Sequence, residues 1–179
     1  MAPSATDTST TAPLDIISKL KSALNNEDLP LSHRYRALFG LKHHACLVPP
    51  TENTLPAVEA IASAFSTPSA LLKHEVAYCL GQTRHGATAP HLTAVLKNGN
   101  EDPMVRHEAA EALGALGHTD SIELLTAKRD DPQEAVVVRE TCEIAIERIK
   151  WENGQARKAE KLRQRSVARS CASVSTDTK

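Results

Sequence analysis

Two nine-residue segments of this 179-residue chain are copies of one pattern. Residues 73–81 and 106–114 each contain a basic residue, a His-Glu pair, an apolar run and a glycine, in the same order and 33 residues apart. A unit this short cannot bury its apolar face alone, so a period between about 20 and 50 residues is typical of stacked repeats. The pattern therefore predicts a solenoid that carries polar residues in register with its scaffold.

Two weaker copies flank the central pair. Residues 139–146, 33 positions further on, and residues 34–41, 39 positions earlier, keep the basic residue and the apolar spacing. Neither has a His-Glu pair: Glu140-Thr141 and Tyr35-Arg36 occupy the corresponding positions. Four units thus share a helix pattern and only the central two carry the pair, as expected of a common scaffold with a local site.

Apolar spacing and turn residues divide each unit into two helices. The first helices are predicted over residues 13–24, 55–65, 89–96 and 120–127. The second helices are predicted to follow Pro30, to begin near Thr67-Pro68 and Asp102-Pro103, and to run from residue 134 to Trp151. Thr67 can cap its helix and proline suits a first turn. The sequence predicts an all-α fold, an alpha-solenoid of four helix pairs.

One domain, residues 13–151, is predicted between two unfolded ends. Residues 1–12 are rich in Ser, Thr and Ala and are predicted to be a disordered arm. Residues 152–179 have almost no large apolar side chain, and we expect a basic, mostly disordered tail. Residues 1–149 have a net charge of −6 and residues 150–179 a net charge of +5. The acidic array would favour a cationic substrate.

Composition narrows the class of protein. Aromatic residues make up only 3% of the chain, which suits closely packed helices better than a β-sandwich. A net charge of −1 implies no general attraction to nucleic acid or to a membrane, and no apolar run is long enough for a membrane span. The four cysteines form no C-x-x-C pattern and are interpreted as small hydrophobic residues in a reducing compartment. We expect a cytoplasmic protein, with the nucleus as a second compartment.

The two His-Glu pairs are the candidate metal site. Adjacent residues diverge by about 100° around a helix, so one pair chelates poorly, whereas pairs on two neighbouring helices can converge. Two imidazoles and one or two carboxylates suit non-haem iron, while structural zinc prefers a closed site with thiolates. The predicted ligands are His74, Glu75, His107 and Glu108. The other six histidines are predicted turn or surface residues: His33, His43, His44, His85, His91 and His118.

Two classes of function remain open on these residues. One is an oxygen-activating iron enzyme, and the other is a non-catalytic scaffold that binds another protein along its concave face. A scaffold has no need of in-register His-Glu pairs, which favours the enzyme. A hydrolase is disfavoured because no nucleophile, base and orienting group stand in register.

The chain resembles deoxyhypusine hydroxylase, a family of HEAT-repeat non-haem di-iron monooxygenases. Residues 71–82 and 102–114 carry the resemblance, with support from residues 34–39 and 139–143. It implies Fe(2+) as cofactor and, as protein substrate, eukaryotic translation initiation factor 5A, whose deoxyhypusine side chain is hydroxylated in hypusine biosynthesis. It also implies that His74, His107 and Glu108 are iron ligands, and that Glu75 faces the substrate amine as a catalytic residue or supports a ligand.

The resemblance covers only the first half of the family pattern. Family members have two four-unit halves with four His-Glu pairs, and each half serves one iron. The two pairs of this chain suffice for one incomplete mononuclear site. We expect a truncated product that needs a second half for activity; self-association of two copies is the alternative.

Overall fold

A computed structural model describes residues 13–174 of the chain, with side chains described for residues 15–164. The predicted disordered arm, residues 1–12, lies outside this range, as do residues 175–179. Eight α-helices and no strand occur in the described part. The helices are α1 (Pro13–Asn25), α2 (Leu31–Ala45), α3 (Thr54–Ala62), α4 (Ala70–Thr83), α5 (Ala89–Lys97), α6 (Pro103–Leu116), α7 (Ile122–Asp130) and α8 (Val136–Val174).

The eight helices form four antiparallel pairs stacked in chain order. In each pair the two helices pack on each other, and the second helices α2, α4, α6 and α8 also pack in sequence to form one continuous layer. The predicted all-α solenoid of four helix pairs is confirmed. None of the described helices combines the length and the apolar character needed to span a membrane.

The predicted N-terminal cap is correct for one of the two central second helices, α6, and wrong for the other, α4. Asp102 caps α6 by accepting a hydrogen bond from the Met104 backbone N–H at 2.8 Å, and Pro103 is the first helical residue. In α4 the predicted cap, Thr67, is wrong. Ser69 caps that helix by accepting a hydrogen bond from the Leu72 backbone N–H at 3.2 Å. The Thr67 hydroxyl accepts a hydrogen bond from the buried Arg34 guanidinium at 3.0 Å.

The basic residue of every unit has a structural role. These four residues, here called the basic ladder, are Arg34, Lys73, Arg106 and Arg139. Arg34 Nε donates to the Leu24 carbonyl at the end of α1, while its Nη2 reaches Thr67 in the next unit. Arg106 forms an ion pair with Glu134, also in the next unit, at 2.5 Å. Arg34 and Arg106 therefore join neighbouring units through buried polar bonds.

Two glycines set the spacing between helices in the layer formed by α2, α4, α6 and α8. A Cβ placed on Gly81 would lie 2.8 Å from the Ala112 Cβ, and one on Gly114 would lie 2.8 Å from the Ala145 Cβ. These two glycines are 33 residues apart, as are the two alanines. Helix α4 thus approaches α6, and α6 approaches α8, more closely than any larger residue would permit.

The predicted tail is different in the structure. Helix α8 continues to Val174, whereas the sequence predicts a mostly disordered segment from residue 152. Side chains 155–164 are exposed, so tertiary packing does not hold this part of the helix. Its Ala, Arg, Lys, Glu and Gln residues are good helix formers, and elongation from the packed part of α8 requires no new nucleus. The prediction considered only apolar burial.

Candidate metal centre

The two His-Glu pairs lie at equivalent positions of α4 and α6. The imidazole rings of His74 and His107 have centroids 5.6 Å apart, with planes inclined at 42°. The close approach at Gly81 is what brings the two helices near enough for this contact. The expected convergence of the two rings between adjacent units is present in the structure.

Three of the four predicted ligands form one group. His74, His107 and Glu108 each offer a donor atom, and these atoms lie within 4.8 Å of one another. His74 Nε2 is 3.3 Å from Glu108 Oε2. Among the described side chains this is the only such group of three or more His, Cys, Asp or Glu residues. Donors about 2.1 Å from a shared ion are at most about 4.2 Å apart, so small side-chain rotations would close the site.

Glu75 lies outside this group. Its Oε1 is 3.5 Å from Nδ1 of His74, while the other ring nitrogen, Nε2, is the one that faces Glu108. The contact is within ion-pair distance but lacks hydrogen-bond geometry, so His74 Nδ1 is a buried atom with no hydrogen-bond partner. Glu75 therefore contacts a candidate ligand from the side away from the group.

The sequence analysis missed a neighbour of His107. The Thr141 hydroxyl, on α8, is 3.4 Å from His107 Nδ1. Thr141 stands 33 residues after Glu108, at the same position in the repeat. Threonine is not a typical metal ligand, so the repeat register alone gives no sign of this contact.

The local electrostatics suit cation binding. Burial, as the largest cause, and the negative charges of Glu111 and Glu75 together raise the pKa of Glu108 from 4.5 to about 7. Burial lowers the pKa of His107, His74 lowers it too, and Glu111 partly offsets both effects. At neutral pH His107 is therefore an uncharged ligand, and Glu108 readily exchanges its proton for a metal ion.

Two cavities open beside the group. One of about 360 Å³ is bordered by His74 and Glu75, and its walls include the exposed side chains of Leu71 and Met104. The second, of about 240 Å³, is bordered by Glu108, with Glu111 also in its wall. The site is thus accessible from an apolar side and from a polar side.

The remaining histidines do not join the group. His85 accepts a hydrogen bond from the Ala87 backbone N–H, and His91 lies 3.3 Å from Glu59. Two of the cysteines, Cys79 and Cys142, are core residues, and burial raises each thiol pKa to about 12.

The sequence matches one protein family and several known proteins. Residues 55–147 match the family of HEAT repeats. Deoxyhypusine hydroxylase of Aspergillus fumigatus is 61% identical over 163 residues, which are 91% of this chain and 48% of that protein. Deoxyhypusine hydroxylase of Neurospora crassa is 57% identical over 152 residues, covering 85% of this chain and 47% of that protein.

The fold is also similar to that of a solved structure. Human deoxyhypusine hydroxylase in complex with glycerol superposes with a TM-score of 0.69 and 40% sequence identity, over 78% of this chain and 45% of that one. The chain spans about half the length of the curated relatives it matches. It therefore belongs to the HEAT-repeat family and, within that family, is similar to about half the length of the deoxyhypusine hydroxylases.

Proposed function

We propose that this chain is one of the two iron-binding halves of a deoxyhypusine hydroxylase, a monooxygenase. The reaction is the iron-dependent hydroxylation of the deoxyhypusine side chain of eukaryotic translation initiation factor 5A, in the cytoplasm or nucleus. The observation that carries the proposal is the convergence of His74, His107 and Glu108 from two adjacent repeats. A binding scaffold has no use for such a group.

The donor set suits Fe(2+). Two imidazoles and one carboxylate on one side of an ion leave further positions open, which is the arrangement of non-haem iron oxygenases. A structural zinc site would favour thiolates, and no cysteine belongs to this group of described side chains. The bound iron would supply the activation of dioxygen. The protein contributes an uncharged imidazole at His107 and a carboxyl group at Glu108 whose proton is easily displaced.

The surroundings suit a long aliphatic amine. Glu75 and Glu111 add negative charge beside the ligand group, and a cationic ammonium is attracted to such a cluster. Leu71 and Met104 offer exposed apolar surface for the methylene groups of the same side chain. We assign Glu75 to the substrate amine, because its carboxylate borders the apolar cavity and lies outside the three-residue group.

Three ligands make an incomplete mononuclear centre. They occupy about half of an octahedral coordination sphere, and the described side chains hold no second such group for a second iron. We therefore propose that turnover requires a second four-unit half in addition to the residues described here.

Anaerobic titration with Fe(2+) tests the proposal. We expect about one iron per chain in the wild type, and an affinity loss above about 100-fold for His74→Ala and for His107→Ala. That loss exceeds the cost of removing an outer-shell partner. His91→Ala, which alters a histidine outside the group, should bind iron like the wild type. Absence of iron binding by the wild type would contradict the proposal and favour a protein-binding scaffold.

A further inference from the structure

Thr141 is placed to act on the candidate centre from the next repeat. Helix α8 lies against α6 where Gly114 meets Ala145, and Thr141 is one helical turn before that alanine. Residues four apart share a helix face, so Thr141 also faces α6. Its hydroxyl lies 3.4 Å from His107 Nδ1, slightly longer than the usual N–H···O distance of about 2.7–3.2 Å.

The hydroxyl proton of Thr141 is already engaged. Thr141 Oγ1 donates to the backbone carbonyl of Val137 at 2.8 Å, which is a good hydrogen bond. A threonine hydroxyl has one proton and two acceptor lone pairs. Towards His107 it can therefore only accept. A neutral imidazole carries its proton on one nitrogen, so this contact requires the proton of His107 to be on Nδ1.

We propose that Thr141 is a positioning residue for His107: it holds the ring in its Nδ1–H form and leaves the Nε2 lone pair free for a cation. This inference rests on the proposed function as far as the cation is concerned. Metal-binding histidines commonly donate their second ring N–H to a carboxylate, a carbonyl or water, which fixes the tautomer and the orientation of the ring. The hydroxyl of Thr141 fills that place here.

The two candidate histidine ligands have different neighbours at Nδ1. His74 Nδ1 faces the carboxylate of Glu75, its own neighbour in sequence, at 3.5 Å. His107 Nδ1 faces a hydroxyl from the following repeat. The fourth unit, which has no His-Glu pair, thus contributes one side chain that contacts the candidate site.

The tautomer of His107 can be measured without any metal. Nitrogen-15 NMR of the metal-free protein above pH 8 distinguishes the two neutral forms of each imidazole. We expect the Nδ1–H form for His107 in the wild type and in Thr141→Ser, and a shift towards the Nε2–H form in Thr141→Val. Valine matches the shape of threonine, so this change removes the hydroxyl without opening a cavity. An unchanged tautomer in Thr141→Val would overturn the proposal.

Metal affinity gives a second readout. In anaerobic titrations with Co(2+), followed by its visible absorption, we expect Thr141→Val to weaken binding about 10- to 100-fold. Thr141→Ser should retain most of the affinity, and Thr126→Val on α7 should retain all of it. Wild-type affinity in Thr141→Val would count against the role, as would an equal loss in Thr141→Ser.

The two proposals fail in distinguishable ways. If the wild type binds neither Fe(2+) nor Co(2+), the proposed function is wrong, while the NMR comparison still decides whether Thr141 sets the tautomer of His107. If the wild type binds metal and Thr141→Val changes neither the tautomer of His107 nor the metal affinity, the proposed function stands and the proposed role of Thr141 is wrong.

Discussion

Glu108 links the stability of the metal-free protein to pH. Its side chain is 8% exposed, and its pKa is raised from the ordinary value of 4.5 to about 7. Between pH 4.5 and about pH 7 the Glu108 carboxyl group is protonated in the folded protein and ionised in the unfolded chain. The free energy of unfolding therefore falls as pH rises through this window, and above pH 7 the full cost of a buried carboxylate is present.

We expect Glu108→Gln to stabilise the metal-free protein while removing a metal ligand. At pH 8, with a chelator present, the free energy of unfolding in urea should rise by about 1 kcal/mol, because the amide carries no charge to bury. The gain should shrink at pH 5, where Glu108 is already protonated. Glu52→Gln, at an exposed position, is the control and should change little. A loss of stability at pH 8 would show that the carboxylate is stabilised in the fold.

For individual residues, the repeat register made the proximity of three candidate ligands predictable. His74 and His107 are related by 33 positions, and stacking of equivalent helices brings equivalent residues together. The place of Glu75 could not be predicted, because neighbouring residues point about 100° apart and only the local rotation of the helix decides which of them faces the group. Thr141 has no metal-binding chemistry of its own, so only the three-dimensional contact reveals it.

Among the helices, glycine contacts control the distance on which the site depends. We expect Gly114→Ala and Gly81→Ala each to destabilise the protein by about 1–3 kcal/mol, because the added methyl group meets the next helix at 2.8 Å. Gly81→Ala should also weaken iron binding, since it separates α4 from α6. Urea unfolding and metal titration measure the two effects.

Gly154→Ala is the matched control for these changes. It lies within α8, and a Cβ there meets no atom within 4 Å. Alanine is the better helix former, so this variant should be unchanged or more stable by up to about 1 kcal/mol. Equal destabilisation at all three glycines would show that helix spacing is not the cause.

Helix positions were largely predictable and helix ends were not. Apolar spacing located all eight helices, and the Asp102-Pro103 start of α6 was predicted correctly. At α4 the sequence offers two candidate caps, and the structure uses Ser69 while Thr67 bonds to Arg34, which is distant in sequence. The end of α8 depends on local helix propensity, which a judgement based on core burial leaves out.

For the whole molecule, we expect the exposed part of α8 to be dispensable for the fold. Asn153 donates to the Gly117 carbonyl at 3.0 Å, and the side chains of residues 155–164 are exposed. A chain ending at residue 156 should keep its melting temperature within about 2 °C, which corresponds to less than about 1 kcal/mol, and should bind iron normally.

A shorter chain provides the comparison. Ending at residue 147 removes Ile149, which is fully buried, together with the Asn153 contact. This chain should melt several degrees lower, because burial of one large aliphatic side chain contributes about 2 kcal/mol. Similar melting of the two truncated chains would mean that the end of the packed region is placed wrongly.

The basic ladder affects how the array of four units unfolds from its ends. Arg106 is 7% exposed and Glu134, in the following unit, is 3% exposed. If the last unit frayed, Arg106 would lose its counter-charge, so the first step from that end would have to break a buried ion pair. Arg34 would likewise lose the Thr67 hydroxyl if the second unit detached. Peeling from either end is therefore penalised at the first step, and the four units should unravel together rather than one after another.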